Sequence, residues 1–228
     1  MSDLPPIPWE SPINKSRSLK MKRAGMVIDL RRCIGCHACS VACKTENEVP
    51  LGHFRNRVRY LEQPDVETLS FLPLLCMHCQ DAPCLKACPT QAPTRLSDGR
   101  VVINQDKCCG MKACISACPY GAIYIDDTSG RADKCDLCTH RTSLDLKPAC
   151  VASCPTQTLR YGDLGDPEDP VAKYAKEHNA KPFKEDADTH PSILYIQQEK
   201  WMEKAAATGV QLSSEDNEII YEQNGRSS

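Results

Sequence analysis

The chain has 228 residues, nearly balanced charge (28 Lys and Arg against 30 Asp and Glu) and 16 cysteines, but only three Phe and two Trp. That length allows one or two compact domains, and with cysteine set aside the apolar share is thin for a hydrophobic core. The longest apolar stretch, FLPLLCM at 71–77, is broken by proline. It falls well short of the roughly 18 residues of a membrane span, so a chain soluble by itself is expected, with membrane contact only through a partner. Basic residues are scattered and aromatics sparse, which speaks against nucleic-acid binding.

The N-terminal 1–23 shows no apolar core of a secretory leader and no small-residue cleavage site, and Arg31–Arg32 run straight into Cys33 rather than forming a twin-arginine signal. A disulfide framework, which needs an oxidising compartment, is therefore not expected. AGMVIDL at 24–30 reads as a short strand. It leads into CIGCHACSVAC, with Cys33, Cys36, Cys39 and Cys43 at x2, x2, x3 spacing, and HACSVACKTEN at 37–47 fits a short helix. The second group, CMHCQDAPCLKACP, holds Cys76, Cys79, Cys84 and Cys88, with a helical turn expected at 83–89. RVVINQ at 100–105 and GAIYID at 121–126 read as strands on either side of the third group, Cys108, Cys109, Cys114 and Cys118. The fourth, CDLCTHRTSLDLKPACVASCP, holds Cys135, Cys138, Cys150 and Cys154.

Three of the groups end in Cys-Pro: Cys88–Pro89, Cys118–Pro119 and Cys154–Pro155. The spacing has a mechanical reason. A tight C-x2-C loop points successive thiolates at one metal cluster, and the x3 gap, nearly one helical turn, aims the last thiolate at another. Proline then fixes φ and ends the loop. A zinc ribbon needs only two C-x2-C pairs, whereas the first group is the complete C-x2-C-x2-C-x3-C run of iron–sulfur proteins. Iron–sulfur clusters are the reading, with a zinc-binding interaction module as the alternative from another class.

The third group breaks the pattern. Counting from Cys108, the run requires cysteine at position 111, where Met111 stands, while an extra cysteine, Cys109, lies beside Cys108. No histidine fills the gap: His37 and His78 sit inside cysteine loops, and His53, His140, His178 and His190 show no paired spacing. Charge divides unevenly, with 21 Lys and Arg against 16 Asp and Glu in 1–162, where every cysteine lies, and 7 against 14 in 163–228. Lys107, Lys112, Lys134, Arg141 and Lys147 are candidates to offset the negative charge of thiolate clusters. No Ser–His–Asp set, phosphate loop or carboxylate pair stands out, so no substrate chemistry is expected in the chain itself.

With DKC, ACPYGAI and KCDLC…PACVASCPT, the array over about 24–165 resembles the iron–sulfur subunits of the dimethyl sulfoxide reductase family of molybdenum and tungsten oxidoreductases. The resemblance implies an irregular α+β fold of two pseudo-symmetric bacterial-type ferredoxin-like modules with long N- and C-terminal extensions. One module would take 24–75 plus 125–165, with cysteine groups one and four, and the other 76–124, with groups two and three. Residues 1–23 would form an N-terminal arm and 166–228 a C-terminal arm contacting partner subunits, with Tyr195, Ile196 and Trp201 as its anchors. The modules would exchange their last cysteines. One cluster then takes Cys33, Cys36, Cys39 and Cys154, its companion Cys135, Cys138, Cys150 and Cys43, and a third Cys76, Cys79, Cys84 and Cys118. Cys108, Cys114 and Cys88 remain for the fourth, with Met111 in the odd position. Related nitrate reductase subunits, where a non-cysteine residue goes with a 3Fe–4S cluster, imply three 4Fe–4S clusters and one 3Fe–4S cluster here. Cys109 as a substitute ligand, giving four 4Fe–4S clusters, stays open.

The implied role is that of a non-catalytic electron-transfer subunit in an oxidoreductase complex. Single electrons would pass between a molybdopterin catalytic subunit, acting on a sulfur compound, and an integral-membrane quinone-reactive anchor near the third-group cluster. The electron-transfer subunit of a hydrogenase or formate dehydrogenase is the alternative. The complex is expected on the cytoplasmic face of the inner membrane, or in the periplasm by co-export with a signal-bearing partner.

Overall fold

The computed structural model describes residues 21–63 and 68–207. In chain order the elements are β1 (Ala24–Asp29), a 3-10 turn (Leu30–Arg32), α1 (Ala38–Glu46), β2 (Asn56–Gln63), β3 (Thr68–Leu75), α2 (Pro83–Ala87), β4 (Pro93–Arg95), β5 (Val101–Ile103), α3 (Ala113–Ser116), β6 (Ile123–Asp126), β7 (Arg131–Lys134), α4 (Thr139–Thr142), α5 (Ala149–Ala152), β8 (Leu159–Asp163), α6 (Pro170–Glu177), β9 (Lys181–Pro182), a second 3-10 turn (Glu185–Ala187), β10 (Ile193–Ile196) and α7 (Lys200–Ala207). The strands expected at 24–30, 100–105 and 121–126 form as β1, β5 and β6, and the helical stretches as α1 and α2. Helices this short are marginal alone and depend on what they pack against.

The fold is a mixed α+β arrangement of two ferredoxin-like modules. In the first, β1 leads into the first cysteine group and β8 leaves the fourth. The two strands pair antiparallel, from Ala24↔Asp163 to Ile28↔Leu159, and α1 packs on α5. In the second, α2 packs on α3. The β4–β5 hairpin joins the second and third groups, and the β6–β7 hairpin joins the third to the fourth. A third hairpin, β2–β3, pairs from Asn56↔Leu75 to Gln63↔Thr68.

Every residue of β1 is buried. A strand covered on both faces needs a neighbour at each edge. β8 fills one edge and β10 the other, in parallel register from Met26↔Ile193 to Asp29↔Ile196, giving the sheet order β8-β1-β10-β9. This corrects the expectation for Tyr195 and Ile196. Both lie in the chain's own core, 1% and 3% exposed, and the Tyr195 hydroxyl donates to the Pro73 carbonyl at 2.8 Å. Trp201, on α7, is half-buried against the same core. Of the arms expected at 1–23 and 166–228, residues 1–20 and 208–228 lie outside the described residues.

The core is small in aliphatic side chains and completed by thiols. Cys39, Cys76, Cys79, Cys84, Cys114, Cys135 and Cys150 belong to the same buried cluster as Leu72, Met77, Leu137 and Ile193. Its packing thus surrounds the cysteine loops directly.

Candidate functional site

Each cysteine loop is built on a left-handed residue immediately before the place of its second ligand. These residues are Gly35, His78, Gly110 and Leu137, with φ of 67°, 44°, 72° and 57°. The turn folds the backbone around the loop so that amide N–H groups face sulfur, as Leu137 N does toward Cys135 Sγ at 3.4 Å. Gly35 and Gly110 also need the space: a Cβ there would meet the Phe71 ring at 2.5 Å and the Gly130 carbonyl oxygen at 2.4 Å. After each Cys-Pro comes a matching turn. The N–H groups of Gln91, Gly121 and Gln157 donate to the carbonyls of Cys88, Cys118 and Cys154 at 3.2, 3.3 and 3.2 Å.

These loops gather the thiols. Cys33, Cys36, Cys39 and Cys154 line one cavity of about 290 Å³. Cys76, Cys79, Cys84 and Cys118 line a second of about 330 Å³, and Cys88, Cys108, Cys109, Met111 and Cys114 a third of about 320 Å³. Cys43, Cys135, Cys138 and Cys150, all buried, interact electrostatically with one another as a fourth group. Among the described residues no three His, Cys, Asp or Glu side chains close on a single metal ion; the thiols ring a space instead. An all-sulfur donor set around a buried space, with N–H groups turned to the sulfurs, fits a polynuclear iron–sulfur cluster.

The groups stand in a line. Cys39 and Cys43, one turn apart on α1, join the Cys33 cavity to the Cys43 group, and Cys150 and Cys154 repeat the link around α5. Cys84 and Cys88 around α2, and Cys114 and Cys118 around α3, join the Cys76 and Cys108 cavities in the same way. Between the modules no helix is shared; there Cys135 and Cys76 come within electrostatic reach of each other. The two middle groups are buried, with Cys118 half-buried, while the outer groups include the exposed Cys36 and Cys109.

Burial pushes the metal-free thiols of Cys39 and Cys79 up to about 11, and those of Cys43 and Cys84 up to about 12. Taking up iron must therefore expel protons from these groups. Cys88 and Cys154 go the other way. Burial raises them too, but the hydroxyls of Thr90 and Thr156 and nearby backbone N–H groups outweigh it. The contacts are 3.4 Å for Thr90 Oγ1 and 3.6 Å for Thr156 Oγ1, with Thr158 N on Cys154 Sγ at 3.3 Å. Sequence reasoning missed both threonines, although Cys-Pro-Thr-Gln occurs twice, at 88–91 and 154–157. It also missed Asn47, whose amide donates toward Cys43 Sγ at 3.7 Å and Cys138 Sγ at 3.8 Å. Arg55 holds Asn47 through its Oδ1 at 2.9 Å while gripping Asp133 with two bonds of 2.8 Å.

The third-group loop repeats the first residue for residue. Gly35 and His37 have φ of 67° and 58°; Gly110 and Lys112, at the same steps, have 72° and 61°. A helix begins at the next residue in each, Ala38 and Ala113. Met111 therefore occupies the place of Cys36, and Cys109 the place of Ile34, whose side chain is exposed. Among the basic residues expected near the clusters, Lys107, Lys112 and Lys147 are exposed and Arg141 is half-buried. Lys134 alone of them is buried. His37 lies at the rim of the first cavity with Nε2 3.0 Å from the Tyr60 hydroxyl, and that hydroxyl donates to the Gly35 carbonyl at 2.8 Å. His53, His140 and His190 pair with Asp127, Glu46 and Asp81 at the surface, and His178 packs edge-on against Tyr174.

A family model described as a 4Fe-4S dicluster domain matches residues 67–164, and a second of the same description matches 32–92. The chain is 39% identical over 208 residues to a Halobacterium salinarum protein named for a dimethyl sulfoxide reductase iron–sulfur subunit, covering 77% of this chain and 79% of that one. It is 41% identical over 180 residues to a tetrathionate reductase subunit of Salmonella typhimurium (76% and 72% covered). It is 38% identical over 181 residues to a polysulfide reductase subunit of Wolinella succinogenes (77% and 94% covered). Neither a zinc-binding module nor a hydrogenase or formate dehydrogenase subunit is favoured by these relatives. The chain belongs to the iron–sulfur, electron-transfer subunits of the dimethyl sulfoxide reductase family of molybdenum and tungsten oxidoreductases.

Proposed function

We propose that this chain conducts single electrons between a molybdopterin-bearing catalytic subunit, acting on a sulfur compound, and a quinone-reactive membrane subunit. The observation that carries the reading is the linear succession of four thiol groups, buried in the middle and reaching the surface at both ends. We assign Cys33, Cys36, Cys39 and Cys154 to one cluster, Cys43, Cys135, Cys138 and Cys150 to the next, and Cys76, Cys79, Cys84 and Cys118 to the third. Cys88, Cys108 and Cys114 hold the fourth. A bound iron–sulfur cluster supplies a centre that takes up and releases one electron at a time. The chain's own residues hold the thiolates, aim N–H groups and the Thr90, Thr156 and Asn47 side chains at them, and keep water from the middle groups.

The fourth assignment is a 3Fe–4S centre. Three thiols, Cys88, Cys108 and Cys114, hold the positions of the ligand run, and a thioether, at best a weak ligand here, stands where Cys36 stands in the first loop. Cys109 also lines this cavity but stands at the Ile34 position, one step before the turn at Gly110, so the loop would have to rearrange for it to replace Met111. The named substrates of the relatives, dimethyl sulfoxide, tetrathionate and polysulfide, support a sulfur compound. Among the described residues no helix is long and apolar enough to cross a membrane, which supports peripheral attachment through a partner. We assign the complex to the cytoplasmic face, with co-export beside a leader-bearing partner as the alternative.

Affinity purification of the tagged protein from anaerobically solubilised membranes tests the reading. Iron, acid-labile sulfide and molybdenum or tungsten should travel together, and a quinol or the sulfur substrate should change the visible spectrum. Nickel in place of molybdenum, or zinc without iron, would overturn it.

A further inference from the structure

The junction between the two modules is built differently from the steps within them. Inside each module, neighbouring thiol groups share two short helices. At the junction the Cys76 cavity and the Cys43 group share none, and the side chain lying between them is Lys134. This residue ends β7, one position before Cys135, and is 2% exposed. Its ammonium donates to the Cys135 carbonyl at 3.0 Å, to the Val101 carbonyl, and to the thiol of Cys76. Cys84 and Cys118, of the same cavity as Cys76, also lie within its electrostatic reach. One buried cation thus bonds a thiol of one middle group and the backbone of a ligand of the other, whose thiol is within its electrostatic reach.

Its bonding partners are two carbonyls and a thiol, not a carboxylate. Burying an ammonium without a compensating anion is strongly unfavourable, and carbonyl dipoles do not neutralise a full charge. Four thiolates make an iron–sulfur cluster anionic, so the two flanking clusters supply the missing countercharge. The wall behind Lys134 offers no carboxylate: the wholly buried His78 accepts the Val101 N–H on Nδ1 at 3.1 Å.

We propose that Lys134 is the charge that sets the inter-module electron step, raising the reduction potentials of the two middle clusters together. The proposal rests on the four-cluster reading above. Adding an electron makes a cluster more anionic, and a fixed cation in a low-dielectric setting favours that state. Because the group is buried, added salt screens the effect little. The junction, which lacks the paired helices of the other steps, thereby gains two centres whose potentials are held up by one shared residue. Lys134 is a positioning residue: it acts through the clusters and touches no substrate.

Potentiometric titration of the purified complex, followed by EPR, distinguishes this from a mere peg fastening β7 to β5. In Lys134→Met and Lys134→Gln, both middle centres should become harder to reduce, each by at least a tenfold change in equilibrium, 59 mV for one electron. The outer two should stay in place, and Lys134→Arg should restore most of the shift. Unmoved middle potentials in a fully loaded neutral variant would overturn the proposal. If neither neutral variant loads its clusters, the wild-type protein labelled with lysine carrying 15N at Nζ decides. A hyperfine coupling on the reduced middle clusters, lost in Lys134→Arg, supports the proposal, and its absence refutes it. Fewer than four clusters in the wild-type protein would instead sink the underlying reading.

Discussion

Met111 and Cys36 occupy equivalent places in two loops that share the same left-handed turns, so their difference in ligand chemistry is isolated from any difference in backbone. Met111→Cys should therefore convert the fourth centre from 3Fe–4S to 4Fe–4S, adding one iron per chain and abolishing the EPR signal of the oxidised 3Fe–4S form. Cys109→Ser should leave both iron content and signal unchanged. If Cys109→Ser instead costs an iron, the loop has rearranged and Cys109 is the ligand. The cysteines were legible in the sequence because ligand spacing is a local property. Thr90, Thr156 and Asn47 were harder: a hydroxyl or amide reaching a sulfur acts through the turn that brings it there, and only the repeated Cys-Pro-Thr-Gln hinted at it. Lys134 was one of five basic candidates, and its burial between two thiol groups depends on the packing of β7 against β5, which no local pattern encodes.

At the scale of elements, the unusual feature is how much rests on single short pieces. α1 supplies Cys39 and Cys43 to different thiol groups from adjacent turns, and α5, α2 and α3 share this duty. The alternation of ligands along a helical turn made α1 and α2 readable in advance. β10 illustrates the opposite case. Its partner lies more than 160 residues earlier in the sequence, and an exposed role on another subunit was the natural misreading. Parallel pairing with β1 makes β10 part of the frame that positions the Cys33 loop. Ile193 is fully buried there, so Ile193→Ala should cost about 2–5 kcal/mol. The check is the denaturant midpoint at which the visible cluster absorption bleaches in anaerobic protein. A midpoint equal to wild type would mean that β10 does not hold the frame.

Over the whole molecule, a thin aliphatic core, sixteen cysteines and many short elements form one consistent design. Folding free energy and function draw on the same sites, because the thiol groups that would hold iron also belong to the core cluster. The four groups follow one another along the molecule rather than along the sequence: the first and fourth cysteine groups interleave, as do the second and third. That interleaving was implied by resemblance alone, since spacing cannot say which distant thiols meet. The exposed ends of the series, at Cys36 and at Cys109 with Met111, are where electrons would enter and leave.

The central claim is that these groups form a single conductor of three 4Fe–4S centres and one 3Fe–4S centre. Iron and acid-labile sulfide analysis of the anaerobically purified complex, combined with a potentiometric EPR titration, tests it most directly. The account predicts four separately titrating one-electron centres, with the 3Fe–4S signal present on oxidation and the highest potential belonging to that centre. A protein with fewer than four centres, or a 3Fe–4S centre titrating at the lowest potential of the set, would contradict it.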